Sequence, residues 1–204
     1  MGKLFTIGHS QHNVEYFISM LKKYNINYVL DVRSIPYSKY AEQYDRQNIE
    51  KYMSYNGIRY SFMGKFFGAR PKEKELYCAE GYLDFEKVRK SERFLKGFKN
   101  VMLGLQQGYN IVLMCTEKDP FDCHRAIMVS RAFELAKVEV NHILADGNLQ
   151  HQNKLNARLL DKYFPERNQI MLFDDINKTE PTNYLNMAYI LRNKEIGYHL
   201  ENES

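Results

Sequence analysis

The chain has 204 residues, a formal charge of +4, 44% hydrophobic residues and three cysteines, so it suits one domain, or one domain with an appendage, around an ordinary core. Mild basicity permits an anionic ligand but is not the strong basic stripe of a dedicated nucleic-acid binder, and three cysteines form no closed disulfide framework, which points to a reduced, cytoplasmic protein. No apolar run approaches the roughly 20 residues of a membrane span, so no membrane partner is expected, and the first residues, MGKLFTIGHS, lack the apolar core of a signal peptide.

Strand and helix patterns alternate along the chain. Leu4–Ile7 is a short apolar strand followed at once by Gly8-His9-Ser10. Asn13 can cap a helix with Val14, Phe17, Ile18 and Leu21 on one face. Asn27–Val32 is a second strand, ending in Asp31-Val32-Arg33, and a Pro-containing loop runs from Ser34 to Tyr44. Asp45–Tyr55 reads as a helix stopped by Gly57, and Ile58–Met63 as a third strand. Gly64–Leu83 reads as a long loop or lid. Ser91 can cap a helix carrying Phe94, Leu95, Phe98, Met102 and Leu105. Val138–Leu144 is a further strand ended by Asp146-Gly147, and His151–Tyr163 looks helical. In the less regular tail, Ile170–Phe173 suits an edge strand and Thr182–Asn193 a last helix. The alternation predicts an α/β fold: a mainly parallel sheet flanked by helices on both faces, in three layers, over residues 1–164, with 165–204 as a C-terminal extension packed on it or trailing from it.

The densest segment is Asn110–Arg131. Ile111–Met114 suits a strand buried on both faces. Cys115, Glu117, Lys118, Asp119, Asp122, Cys123, His124 and Arg125 then follow around Pro120, and Ile127, Met128, Arg131 and Leu135 resume at helical spacing. Pro120 pushes Asp119 away from α geometry, so Asp122 is the expected helix N-cap, leaving Cys123, His124 and Arg125 in the first turn. Ligands of open α/β sheets bind at such strand ends, where helix N-termini add free N–H groups. Arg125 is therefore expected to join main-chain N–H groups of the Asp122–Arg125 turn in an anion site, with a structural pairing to Glu117 as the competing reading.

In a parallel sheet the ends carrying Gly8-His9-Ser10, Asp31-Arg33 and Cys115-Glu117 converge on one edge. Each cluster also has a plainer reading. His9 and Ser10 can cap the first helix, Asp31 and Arg33 can pair with each other, and Cys115 can be an inert buried thiol that alkylates slowly. Cys123 beside His124 and Arg125 has the surroundings of an activated thiol. The C-x7-C-H spacing of Cys115, Cys123 and His124 is unlike the common zinc pairs, so no metal ligands are assigned. Lys39, Tyr40, Arg70 and Lys72 can be solvated loop residues, and Cys78 is incidental.

The segments FTIGHS (Phe5–Ser10), DVRSIPYSKY (Asp31–Tyr40), NGIRY (Asn56–Tyr60), FFGARP (Phe66–Pro71), LMCTEKDPFDCHR (Leu113–Arg125) and VNHILADG (Val140–Gly147) resemble, in order and spacing, the domain-of-unknown-function 488 family over about residues 3–150. The resemblance implies no established reaction. It implies that His9, Ser10, Asp31, Arg33, Ser38, Tyr40, Arg70, Cys115, Glu117, Cys123, His124 and Arg125 belong to the shared motif set. A fainter similarity to rhodanese-like domains would make Cys115 a sulfur-carrying nucleophile, although the acids around it would raise rather than lower its pKa.

Two function classes follow. One is an enzyme acting on a phosphorylated, nucleotide-like or nucleic-acid substrate. In it Glu117 or His124 is the acid or base, with His9, Asp31 and Cys115 as further catalytic candidates, and Arg125, Arg33, Ser10, Tyr40, Arg70 and Cys123 hold the substrate. The other is a non-catalytic nucleotide or nucleic-acid binding module using the same edge, with Lys65–Lys74 and its phenylalanines as a contact surface. No cofactor is singled out, and oligomeric state is left open.

Overall fold

The computed structural model describes residues 1–168 and 181–200. In chain order the elements are β1 (Leu4–Gly8), α1 (Val14–Lys23), β2 (Tyr28–Asp31), α2 (Arg46–Tyr55), β3 (Arg59–Phe62), α3 (Gly64–Phe67), α4 (Phe85–Lys90), α5 (Glu92–Gln106), β4 (Ile111–Cys115), α6 (Arg131–Leu135), β5 (Val140–Ile143), β6 (Leu149–His151), α7 (Gln152–Tyr163) and α8 (Pro181–Ile196). The strands form one sheet in the order β3-β2-β4-β1-β5-β6, parallel throughout except for the β5–β6 pair.

Alternation along β4 shows why the sheet has two buried faces. Ile111, Leu113 and Cys115 join the core built with Phe94, Val101 and Leu105 of α5, Phe133 of α6 and Leu155 and Leu159 of α7. Val112 and Met114 join the opposite core, built with Phe17 and Leu21 of α1 and Ile49 and Met53 of α2. Helices therefore flank both faces, giving the expected three-layer α/β architecture. The chain leaving β4 turns towards the α5–α7 face, whereas its neighbours β1 and β2 feed α1 and α2 on the other. A crevice opens beyond the end of β4 for that reason.

Local expectations are met at several points. The Asn13 side chain accepts from Tyr16 N at 2.8 Å and caps α1, and the Ser91 hydroxyl accepts from Phe94 N at 3.4 Å and caps α5. Gly57 ends α2 at φ +69°, where a glycine is favoured. Elsewhere the structure corrects the reading. Gly64–Leu83 is not one open loop: it begins with α3 and includes a short 3-10 turn, Lys74–Leu76. The three-residue β6 was hidden by its brevity and pairs antiparallel with β5 across the Gly147 turn. The last helix runs Pro181–Ile196, longer than Thr182–Asn193. The expected strand Ile170–Phe173 lies outside the described residues.

The last helix, α8, is tied to the rest of the chain by polar contacts. Arg192 of α8 donates from Nε to Phe121 O at 3.0 Å, pairs with Asp122 and stacks on the Phe121 ring at 4.5 Å. Asn193 accepts from Phe85 N at 2.8 Å and donates to Leu83 O at 2.8 Å. A buried chain of hydrogen bonds crosses the interior: Thr6 Oγ1 to His142 Nδ1 at 2.8 Å, His142 Nε2 to Gln152 Oε1 at 2.7 Å, and Gln152 Nε2 to the Tyr189 hydroxyl at 2.7 Å. The Gln152 carbonyl oxygen can only accept, so His142 carries its proton on Nε2 and Thr6 donates to Nδ1.

Candidate active site

The three expected strand ends meet. β1 and β4 run in register to Gly8 opposite Cys115, and β2 ends with Asp31 opposite Met114. The ladder continues into the loops, with His9 N donating to Cys115 O and Ser10 N to Thr116 O, each at 2.9 Å. Ser10 holds a left-handed φ of 48° to make that turn. The loop after β4 arches so closely over β1 that a Cβ on Gly8 would lie 1.8 Å from Glu117 O, so only glycine fits there.

Arg125 is where the structure departs most from the expectation. It is fully buried, at 0% exposure, and points into this arch. Nη1 donates to Glu117 O at 2.6 Å, Nη2 to Lys118 O at 3.4 Å and Nε to Thr6 Oγ1 at 3.4 Å. The guanidinium satisfies carbonyls of a loop that has no ladder partner and does not reach the pocket. Asp122 does not cap the helix either, being paired with Arg192. Asp119 caps the 3-10 turn Pro120–Asp122 through Phe121 N at 2.8 Å, and its carboxylate is held by Arg158 at 2.6 Å. Extended Cys123 takes the N-cap position instead: its sulfur accepts from Arg125 N at 3.4 Å and its carbonyl from Ala126 N and Ile127 N. The N–H groups of Arg125, Ala126 and Ile127 are thus used internally. The chain continues as a π-helix, Arg125–Ser130, in which the Ser130 hydroxyl donates to Arg125 O at 2.8 Å. Such widened turns recur at functional sites.

His9, Asp31 and Arg33 come together as a buried network. Arg33 donates from Nε to Asp31 Oδ1 at 2.9 Å and from Nη2 to Asp31 Oδ2 at 2.6 Å and Tyr44 O at 2.7 Å. Tyr60 donates to the same carboxylate at 2.8 Å. His9 donates from Nδ1 to Ser10 O at 2.9 Å, accepts from Arg33 Nη1 at 3.2 Å and stacks on Tyr44 with ring centroids 4.1 Å apart. Burial, reinforced by the Arg33 charge, pushes His9 down to about 4, so it is neutral at pH 7. Of these three, only Arg33 reaches the pocket wall.

That pocket has a volume of about 450 Å³. Its walls are the loop from Arg33 to Ser38, Ala69 and Arg70, Thr116 and Asp122, and Ile196 with Tyr198; Cys115, Glu117 and His124 form its floor. Arg70 is exposed on the rim and stacks on Tyr198 at 4.8 Å. Tyr40, at 88% exposure, and Ser10 stand outside the lining. Nothing in the sequence marked Ile196 and Tyr198, which arrive from the distant end of the chain. A larger groove of about 610 Å³ lies between α4, α5 and α8, but its lining carries no cysteine or histidine. Among the described residues, Cys115, Cys123 and His124 stand together at the strand edge.

The floor is a tight cluster. Glu117 Oε2 lies 2.9 Å from Cys115 Sγ and 2.8 Å from Cys123 Sγ. His124 donates from Nε2 to Val32 O at 3.1 Å, which leaves Nδ1 facing Cys115 Sγ at 3.8 Å. These four residues place one donor atom each within 4.8 Å of one another, although the sequence spacing had suggested no metal ligands. Burial, then Cys123 and Glu117, push the Cys115 thiol well up, which argues against a sulfur-carrying nucleophile there. Burial also opposes a Cys123 thiolate, but the hydrogen bond from Cys115 and the charges of Arg125 and His124 hold Cys123 well below the ordinary thiol range. Burial and the Cys123 charge raise Glu117. His124 is raised too, because Cys123 and Glu117 outweigh its burial.

A mostly parallel three-layer α/β domain with a Cys-Glu-Cys-His cluster at the carboxyl edge of its strands is the class that fold and site define. Residues 13–132 match the family profile described as Domain of unknown function DUF488, and the chain belongs to that family. No curated protein and no solved structure matches the chain. No helix among the described residues is long and apolar enough to cross a membrane.

Proposed function

We propose that the chain is an enzyme acting on a small phosphorylated or nucleotide-like substrate bound in the strand-edge pocket. The observation that carries this reading is the placement of Cys115, Glu117 and His124 on the floor of the pocket beneath a cationic rim residue, Arg70. Arg33 also faces the pocket, but its guanidinium is largely committed to Asp31, Tyr44 and His9, which leaves Arg70 as the better anion anchor. Ser34 and Ser38 supply hydroxyls on the same wall. The floor cluster is the reacting end, and the Arg33–Ser38 and Ala69–Arg70 walls orient the substrate.

Titration with inorganic phosphate and adenosine monophosphate, followed by a turnover screen of phosphate esters and nucleotides, tests this. Arg70→Ala should weaken binding about tenfold, the lower end for a charge-assisted hydrogen bond because Arg70 is solvent-exposed, with little change in melting temperature. Glu117→Gln should leave affinity nearly intact while removing turnover. Equal affinity in the parent and Arg70→Ala proteins would remove the anion anchor. Binding without turnover of any panel member would favour a binding module.

A further inference from the structure

We infer that Cys115, Glu117, Cys123 and His124 bind a single divalent metal ion of the zinc class at the floor of the pocket. The pattern is C-x-E-x5-C-H, with Cys115 at the end of β4, Glu117 in the arch and Cys123-His124 entering the π-helix. A tetrahedral zinc ion with bonds of about 2.0–2.3 Å sets neighbouring donors about 3.3–3.8 Å apart. Cys115 Sγ and His124 Nδ1 are 3.8 Å apart, and all four donors lie within 4.8 Å of one another. Glu117 Oε2 sits closer to the sulfurs, at 2.8 and 2.9 Å, and would move out by about half an ångström or more to take a ligand position.

The surroundings are those of a ligand set. His124 is oriented by a backbone carbonyl on its far nitrogen, the usual outer-shell partner of a ligating imidazole. Arg125 N donates to the Cys123 sulfur, and the Arg125 guanidinium lies buried behind the arch as a fixed positive charge. Two thiolates with an imidazole favour zinc over magnesium or calcium, which take oxygen ligands. Cys115, Glu117 and His124 also line the pocket, so the ion would sit at its floor; four protein ligands fill a tetrahedral shell, and an open position for substrate would arise only where Glu117 gives up its place. The donor geometry stands by itself; only the assignment of the ion to the reacting end rests on the substrate reading above.

The test uses the full chain, purified under reducing conditions, stripped by chelation and titrated with zinc, and separately with cobalt(II). The expected result is one zinc per chain. Cobalt should give the intense visible bands of a tetrahedral ion and near-ultraviolet thiolate-to-cobalt absorption. Cys123→Ser should abolish the thiolate band or reduce it by about half, and Glu117→Gln, a near-isosteric change, should weaken zinc binding by at least the roughly 10-fold typical of a lost outer-shell partner. Circular dichroism confirms that each variant is folded. A folded parent that binds no zinc, or zinc binding unchanged in Glu117→Gln and Cys123→Ser, would overturn the proposal and leave a hydrogen-bonded dithiol–carboxylate cluster. Stoichiometric zinc together with no affinity for phosphate or nucleotide would uphold the metal site and remove the substrate reading.

Discussion

Replacing Arg125 with methionine should lower the melting temperature by about 6–12 °C, read by calorimetry or circular dichroism. The substitution keeps much of the aliphatic stem and removes the guanidinium that donates to Glu117 O, Lys118 O and Thr6 Oγ1. The two loop carbonyls would be left without their donor beneath an arch pressed against Gly8. Orphaned buried acceptors cost about 1–3 kcal/mol each, so a loss of about 3 kcal/mol is expected even after the desolvation cost of the charge is relieved. A chain of this size shifts by about 2–4 °C per kcal/mol. The arch carries Glu117, so the variant should also disorder the pocket floor. A melting temperature within a degree or two of the parent, combined with lost phosphate affinity, would mean that Arg125 faces the ligand and not the loop.

Acidification from pH 7 to pH 5 should cost about 4 kcal/mol of stability through His9 and His142 alone. Burial and the Arg33 charge push His9 down to about 4, and burial with the Arg125 charge pushes His142 down to about 3. Both are neutral in the folded chain, whereas unfolding restores values near 6.5. The unfolded state therefore takes up protons first as pH falls. The stability these groups contribute is fully present above about pH 6.5 and is lost as pH drops towards their folded values. At pH 5 each costs about 2 kcal/mol, from 1.36 kcal/mol per unit over roughly 1.5 units. His142→Gln can keep a donor for Gln152 but no longer titrates, so denaturant unfolding at the two pH values should show an acid loss smaller than the parent's by about 2 kcal/mol. An acid loss in His142→Gln equal to the parent's would show that His142 is not held neutral.

The chain's own pattern made the frame legible. Apolar runs at Leu4–Ile7 and Ile111–Met114, alternating with amphipathic helices capped by Asn13 and Ser91, implied a parallel sheet and hence a shared strand edge. Side-chain direction at that edge was not legible. Arg125 reads as a surface cation because charge favours exposure, and only the arch permitted by Gly8 brings the carbonyls that bury it. Asp119 and Asp122 are equivalent caps by residue type. The 3-10 turn after Pro120 gives Asp119 the first turn, Arg192 takes Asp122, and a cysteine becomes the second cap. The same turn folds Cys123-His124 back onto Cys115 and Glu117, a juxtaposition that linear spacing between the cysteines does not reveal. Tyr198 and Ile196 reach the pocket because α8 is clamped by Arg192 and Asn193, contacts between segments far apart in the chain.

The central claim is that ligand chemistry takes place at the strand edge and not in the larger groove. The most direct measurement is amide chemical-shift mapping of the labelled chain titrated with adenosine monophosphate. The account predicts saturable shifts concentrated at Ser34–Ser38, Ala69–Arg70, Thr116–Glu117 and His124, with a midpoint about tenfold higher in ligand for Arg70→Ala. Shifts confined to the groove around Arg89, Phe94 and Arg131, or none at millimolar ligand, would contradict it.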